Sequence, residues 1–150
     1  MSFANFDITD ISNVVVTFTN NKITKDSFNE FLNNWNACDL RRENYSFYFD
    51  TRSGLANAQI KYAFGIVGFI KKKKKEPEKF LQYSLINVSS PRNLLLLRFI
   101  FSLSNPIAPV YIFQNNSDTF INELREKIVE TNNSLSKDYK RDKKIFCYMP

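Results

Sequence analysis

The chain has 150 residues, 43% of them hydrophobic and 15% aromatic, with 21 Lys and Arg against 15 Asp and Glu and a formal net charge of +6. That length and apolar content suit one globular domain with its own core, and only three glycines and five prolines argue against a loop-rich protein. No histidine occurs, which excludes a serine-histidine triad and histidine-based zinc catalysis, and with them most hydrolase chemistry.

The first residues carry no basic start and no long apolar stretch follows, so nothing resembles a secretion signal and an intracellular, cytoplasmic chain is expected. Residues 6–11 can add a short leading strand, although Asp7 and Asp10 weaken it. Val14, Val15, Val16, Thr17 and Phe18 read as a strand ending at the turn formers Asn20 and Asn21. Thr24 can cap the helix that follows, whose Phe28, Phe31, Leu32, Trp35 and Cys38 share one face and must pack on a sheet. Residues 45–49 are apolar at nearly every position, the pattern of a central strand covered on both sides.

A second helix is expected from about Asn57 to Lys75, with Ile60, Phe64, Val67 and Ile70 toward the core, Gly65 and Gly68 allowing close approach, and Pro77 enforcing the end. Residues 81–88 form the third strand, after which Ser90 and Pro91 open a helix over 92–103. Its segment 94–103 is about half the length of a membrane span and is interrupted by Arg98, so it reads as a core helix. The fourth strand covers 110–113, and Ser117 or Asp118 caps a last helix carrying Phe120, Ile121, Leu124 and Ile128. Beyond Ser134 the sequence turns charged and is expected to fray, though residues 145–149 are apolar enough to dock back onto the domain or a partner. Strand and helix thus alternate four times, predicting an α/β domain with a four- or five-stranded mixed, largely parallel sheet and about four helices over residues 1–134, then a charged tail over 135–150.

The candidate functional loop is Asp50, Thr51, Arg52, Ser53 and Gly54, followed by Leu55, where a strand runs into a polar turn and toward a helix. Asp50 lies at the carboxyl end of a central strand, where open α/β sheets place functional groups; it can accept phosphate or bond turn amides. A phosphate on Ser53 would sit beside Arg52 and near a helix start, both favourable to a dianion; equally, Ser53 and Thr51 can simply cap the turn. A magnesium-dependent phosphoryl site would need a second carboxylate, but Thr19, Asn20 and Asn21 follow the first long strand and Arg52 stands two residues after Asp50. No dinucleotide fingerprint or phosphate-binding loop is present, and neither Cys38 nor Cys147 has a close cysteine partner, so no cofactor, metal or enzymatic activity is expected.

Lys71, Lys72, Lys73, Lys74 and Lys75 form the candidate anion-binding run. Residues 71–79 hold six lysines against two glutamates and residues 137–144 five cations against two aspartates, leaving the rest of the chain near neutrality. Such clusters bind nucleic acid or anionic lipid, or else form a solvated face, since five consecutive lysines point all around a helix. Phe47, Phe49, Phe99, Phe101 and Tyr111 sit in segments apolar enough to be core.

The strand-and-helix order, with Asp50-Thr51-Arg52-Ser53-Gly54-Leu55 leading into an Ile- and Gly-containing helix, resembles the STAS domains, which include anti-sigma factor antagonists and the cytosolic tails of sulfate transporters. The resemblance spans residues 14–128 and implies a non-enzymatic regulatory module that binds another protein through residues 50–55. In the bacterial antagonists the serine of this turn is phosphorylated by a partner kinase; here it would be Ser53, with Thr51 and Arg52 in place of the antagonists' Asp-Ser pair. The segments 49–52 and 106–111 also resemble those of small proteins of large DNA viruses, which implies a host-cytoplasmic or virion location. Two further roles fit the sequence: a basic adaptor for nucleic acid or anionic membrane using Lys71 to Lys75 and the tail, and a carrier of a small apolar ligand between the sheet and helix 94–103.

Overall fold

A computed structural model describes residues 2–56, 58–114 and 117–150. Its elements in chain order are β1 (Ala4–Asp7), β2 (Asn13–Phe18), α1 (Lys25–Leu40), β3 (Tyr45–Asp50), α2 (Ile60–Lys74), β4 (Leu81–Val88), α3 (Pro91–Leu103), β5 (Val110–Gln114), α4 (Asp118–Thr131), α5 (Lys137–Asp142) and β6 (Phe146–Tyr148). The strands form one sheet in the order β1-β2-β3-β4-β5-β6. Its two outer pairs are antiparallel and the inner pairs parallel, giving the mixed, largely parallel α/β architecture expected from the sequence, with six strands and five helices among the described residues in place of four or five strands and about four helices.

Each parallel strand lies beside the one before it, so the right-handed rule for such crossovers sends α1, α2 and α3 to the same face. Phe31, Trp35, Ala63, Val67, Ile70 and Ile100 from these helices accordingly share a core with Val16, Phe47, Phe49, Ile86 and Ile112 of the sheet. The alternate residues Tyr48, Leu85, Tyr111 and Phe113 face the other way and pack on Ile121, Leu124 and Ile128 of α4. One extra residue in β4 lets both faces be served: Tyr45 pairs with Leu81 but Phe47 with Ser84, so Leu81 joins the first core and Tyr83 the second.

Local signals explain the helix starts. Thr24 and Ser27 form a reciprocal capping box on α1, with Ser27 N donating to Thr24 Oγ1 at 3.1 Å and Thr24 N to Ser27 Oγ at 2.8 Å. Ser90 accepts from the backbone of Arg92 and Asn93, with Pro91 at the first helical position. Ser117 caps α4.

Four expectations need correction. The leading strand is Ala4–Asp7 rather than 6–11, because Ala4 pairs with Phe18 and Phe6 with Val16 while Asp7 to Asp10 make the turn. The segment after Ser134 does not fray: α5 and β6 form, Ile145 is buried, and β6 pairs with β5. Ile60 and Phe64 are more than half exposed, because Ala63, Val67 and Ile70 already fill the inward face of α2. Gly65 does allow close approach, since a Cβ there would lie 2.7 Å from the Phe28 ring, whereas one on Gly68 would meet nothing within 4 Å. The start anticipated at Asn57 lies outside the described residues, and α2 begins at Ile60. Among the described residues no helix is long and apolar enough to cross a membrane.

Candidate functional site

The strand order places no reversal between parallel neighbours, so the sheet lacks the crevice that such a reversal opens at the carboxyl ends of the strands. Asp50 at the end of β3 is instead occupied locally. Arg52 grips it, Nε on Oδ1 at 3.0 Å and a terminal nitrogen on Oδ2 at 2.9 Å, and the Arg52 amide also donates to Oδ1 at 3.1 Å. This fork holds the Asp50 carboxyl below its ordinary 3.8, the Arg52 hydrogen bonds outweighing the opposing effect of burial. With the folded value depressed, whatever the fork contributes is present above the unfolded pKa and is lost as acid protonates Asp50. In Arg52→Gln the Asp50 carboxyl is expected to titrate closer to 3.8 by carbon-detected NMR; an unchanged titration would show that Arg52 does not set it.

The rest of the loop is fastened from one side. Thr51 is buried and its hydroxyl donates to the Asn87 carbonyl at 2.9 Å. Ser89 Oγ donates to the Arg52 carbonyl at 3.0 Å, Asn93 Nδ2 to the Gly54 carbonyl at 3.1 Å, and the Arg92 guanidinium to the carbonyls of Leu55, Ala56 and Ala58. On the other side the Leu55 amide donates to the Thr19 carbonyl at 3.2 Å. Gly54 is needed for contact rather than for a special backbone angle: a Cβ there would lie 2.4 Å from the carbonyl carbon of Phe18. Leu55 takes the left-handed conformation, with φ of 67°, which costs a non-glycine residue roughly 1–2 kcal/mol.

Ser53 is exposed and makes no hydrogen bond among the described residues. The phosphate-favouring helix start assigned to it is absent, because α2 opens at Ile60, its N-cap Gln59 provides no side-chain bond, and the Arg92 charge is spent on loop carbonyls. Arg52, which precedes Ser53 in the chain, is engaged with Asp50.

Behind this loop lies an apolar cavity of about 130 Å³ between the sheet and the three helices. Phe18 and Phe49 of the sheet, Phe31 of α1, Ile66 of α2 and Leu97 of α3 line it, and Thr51, Leu55, Ala58 and Gln59 close one end. Two hydroxyls of its wall are engaged elsewhere: the Thr51 hydroxyl donates to the Asn87 carbonyl and the Tyr62 hydroxyl to the Ile23 carbonyl at 3.0 Å. Leu55 and Tyr62 are half-buried and Gln59 is exposed, so the cavity reaches the surface at the loop. Sequence reasoning placed a pocket in this region but could not name its wall, because ordinary core residues build it.

The five lysines do not act together. Lys73 is buried, its ammonium 3.0 Å from Asp39 Oδ2 and 3.2 Å from Glu76 Oε1, with Asn36 Oδ1 as a further acceptor. Tyr45 completes the group by donating its hydroxyl to Asp39 Oδ1 at 2.6 Å, and burial together with that carboxylate pushes its phenol well above the ordinary range. Lys74 donates to the Asn105 carbonyl, whereas Lys71, Lys72 and Lys75 are exposed. The basic residues of α5 lie on the opposite side of the sheet, where Tyr139 packs against the second core, so the two clusters do not make one surface. Among the aromatics expected in the core, Phe47, Phe49 and Tyr111 are buried and Phe99 and Phe101 half-buried. Cys38 is a buried free thiol and Cys147 a half-buried one on β6. No group of three or more His, Cys, Asp or Glu among the described residues could hold a metal ion.

Comparison with protein-family models, with curated proteins and with solved structures returned no match.

Proposed function

We propose that this chain is a non-enzymatic, STAS-like module that holds a small, neutral, apolar molecule behind the loop of residues 51–59. The cavity carries the reading: about 130 Å³ with an almost wholly carbon wall is room for one small ring or a short alkyl chain. Left empty, such a space forfeits roughly 3 kcal/mol of packing at ~24 cal/mol per Å³, and dry apolar cavities of about this size take up benzene. The STAS reading draws on the alternation of strands and helices and on the Ser53-Gly54-Leu55 turn after a central strand. A reducing, intracellular setting fits two free thiols.

Native mass spectrometry after mild purification should show a retained small molecule. With the emptied protein, saturating benzene or indole is expected to raise the melting midpoint by about 5–10 °C, the shift that ligand at 100 times Kd gives a domain of this size. Ala63→Leu, which fills the cavity from α2, should cancel that shift. A clean apo mass together with no shift from either probe would refute the reading.

A protein-binding role for Asp50, Thr51, Arg52, Ser53 and Gly54 is favoured by one observation, the exposed and unengaged Ser53 hydroxyl. Ser53→Asp and Arg52→Glu should then lower the yield of partner cross-linking in cells with unchanged circular dichroism. Equal yields from both variants and the parent would rule it out.

A further inference from the structure

The outward surfaces of α2 and α3 share two properties that the cavity does not explain. The first is exposed apolar area. Ile60 is 56% exposed, Phe64 55% and Leu95 66%, and the Phe64 ring meets the half-buried Phe99 ring edge-on at 5.6 Å between centroids. Ile60 and Phe64 are one turn apart on α2, Leu95 and Phe99 one turn apart on α3, so the Phe64–Phe99 contact joins both pairs into one ridge. The second is charge of a single sign. Neither helix carries an aspartate or glutamate. At 100° per residue Ile60, Phe64, Lys71 and Lys75 fall within about 60° of each other, and the exposed Lys61, whose ammonium lies 5.1 Å from the centre of the Tyr62 ring, follows Ile60 on the same helix. The two carboxylates that follow α2 in sequence, Glu76 and Glu78, are paired with Lys73 and Arg42.

We infer that this face docks on an anionic lipid bilayer, with Ile60, Phe64 and Leu95 entering the headgroup boundary and Lys61, Lys71 and Lys75 meeting lipid phosphates and carboxylates. Apolar side chains ringed by cations match an interface that is greasy inside and negative outside. A nucleic-acid backbone would use the lysines but gain nothing from exposed Ile and Leu, and its stacking platforms need rings interleaved with cations. Position gives a further reason: Ile60 directly follows Gln59, the exposed residue of the cavity's wall, so a bilayer held here lies next to the cavity's opening. The inference goes beyond the cavity reading and stands without it.

The test is sedimentation of the full chain with vesicles of equimolar phosphatidylcholine and phosphatidylserine, against pure phosphatidylcholine and against duplex DNA. The protein is expected to partition onto the anionic vesicles only, less so as salt rises. Phe64→Ser with Leu95→Ser should weaken partitioning about tenfold or more, and each of Lys71→Gln and Lys75→Gln about fivefold; all four positions are exposed, so circular dichroism should be unchanged. No partitioning at low salt would overturn the inference, as would a serine double variant that binds like the parent. DNA binding of equal strength, lost in Lys71→Gln and Lys75→Gln but kept in the variant with Phe64→Ser and Leu95→Ser, would assign the face to nucleic acid instead. A protein that retains a cavity ligand yet ignores vesicles would overturn the docking face and leave the cavity reading intact.

Discussion

Lys73→Ala is expected to lower the melting midpoint by about 10 °C while Lys72→Ala changes it by no more than a degree or two. The two residues are neighbours in a run of identical side chains, but only Lys73 is buried, its side chain 5% exposed against Asp39 at 16%. Removing the ammonium leaves the half-buried Asp39 carboxylate with the Tyr45 hydroxyl as a remaining partner. Breaking one half of a buried pair costs about 3–5 kcal/mol, most of it from the stranded charge. Asp39→Asn combined with Lys73→Met should therefore cost less than the sum of Asp39→Asn and Lys73→Met made singly, a non-additivity that this double-mutant cycle measures. Equal midpoints for the Lys72 and Lys73 variants would show that the pair contributes nothing.

Gly54→Ala should be the most damaging alanine substitution among the three glycines. Its Cβ would fall 2.4 Å from the carbonyl carbon, 2.6 Å from the carbonyl oxygen and 2.6 Å from Cβ of Phe18. Backbone at the end of β2 cannot swing aside, so the loop must retreat, breaking the Asn93 bond to the Gly54 carbonyl and the Leu55 bond to Thr19. A loss of about 2–4 kcal/mol in urea unfolding is expected, together with release of any cavity ligand, because Leu55 and Ala58 move with the loop. Gly68→Ala supplies the contrast. Nothing lies within 4 Å of its new methyl, and relieving a glycine in a helix interior should stabilise by about 0.5–1 kcal/mol. If both substitutions proved neutral, the close approach at Gly54 would be refuted.

The inner layers were legible in the sequence because each carries a strong local signal. Residues 45–49 lack alternation because both faces of β3 are covered, by Trp35 on one side and by the α4 core on the other. Thr24, Ser90 with Pro91, and Ser117 name their helix starts by capping chemistry alone. The edges were harder. Strands of four and three residues are too short to show a period, and β6 hides behind the charges of α5. On α2 the apolar residues surround the helix, so spacing could not tell Val67, which is buried, from Phe64, which is not. In a run of five lysines no local pattern marks the one that turns inward. Lys73 does so because it follows Ile70 by three positions and meets Asp39 from α1, a residue thirty-four positions earlier. The role of Gly54 is likewise set by Phe18, which sequence does not place beside it.

The flanking strands have a bearing on how copies of this molecule behave toward one another. A parallel β5 whose Val110, Tyr111, Ile112 and Phe113 are all buried would, if bared along its side, offer an unpaired amide ladder to any other chain. Three residues of β6, held by a six-residue helical spacer, act as the stopper on that ladder. Proteolytic nicking near Lys143 and Lys144 that let β6 go would bare the backbone of Val110, Tyr111 and Ile112 along that side.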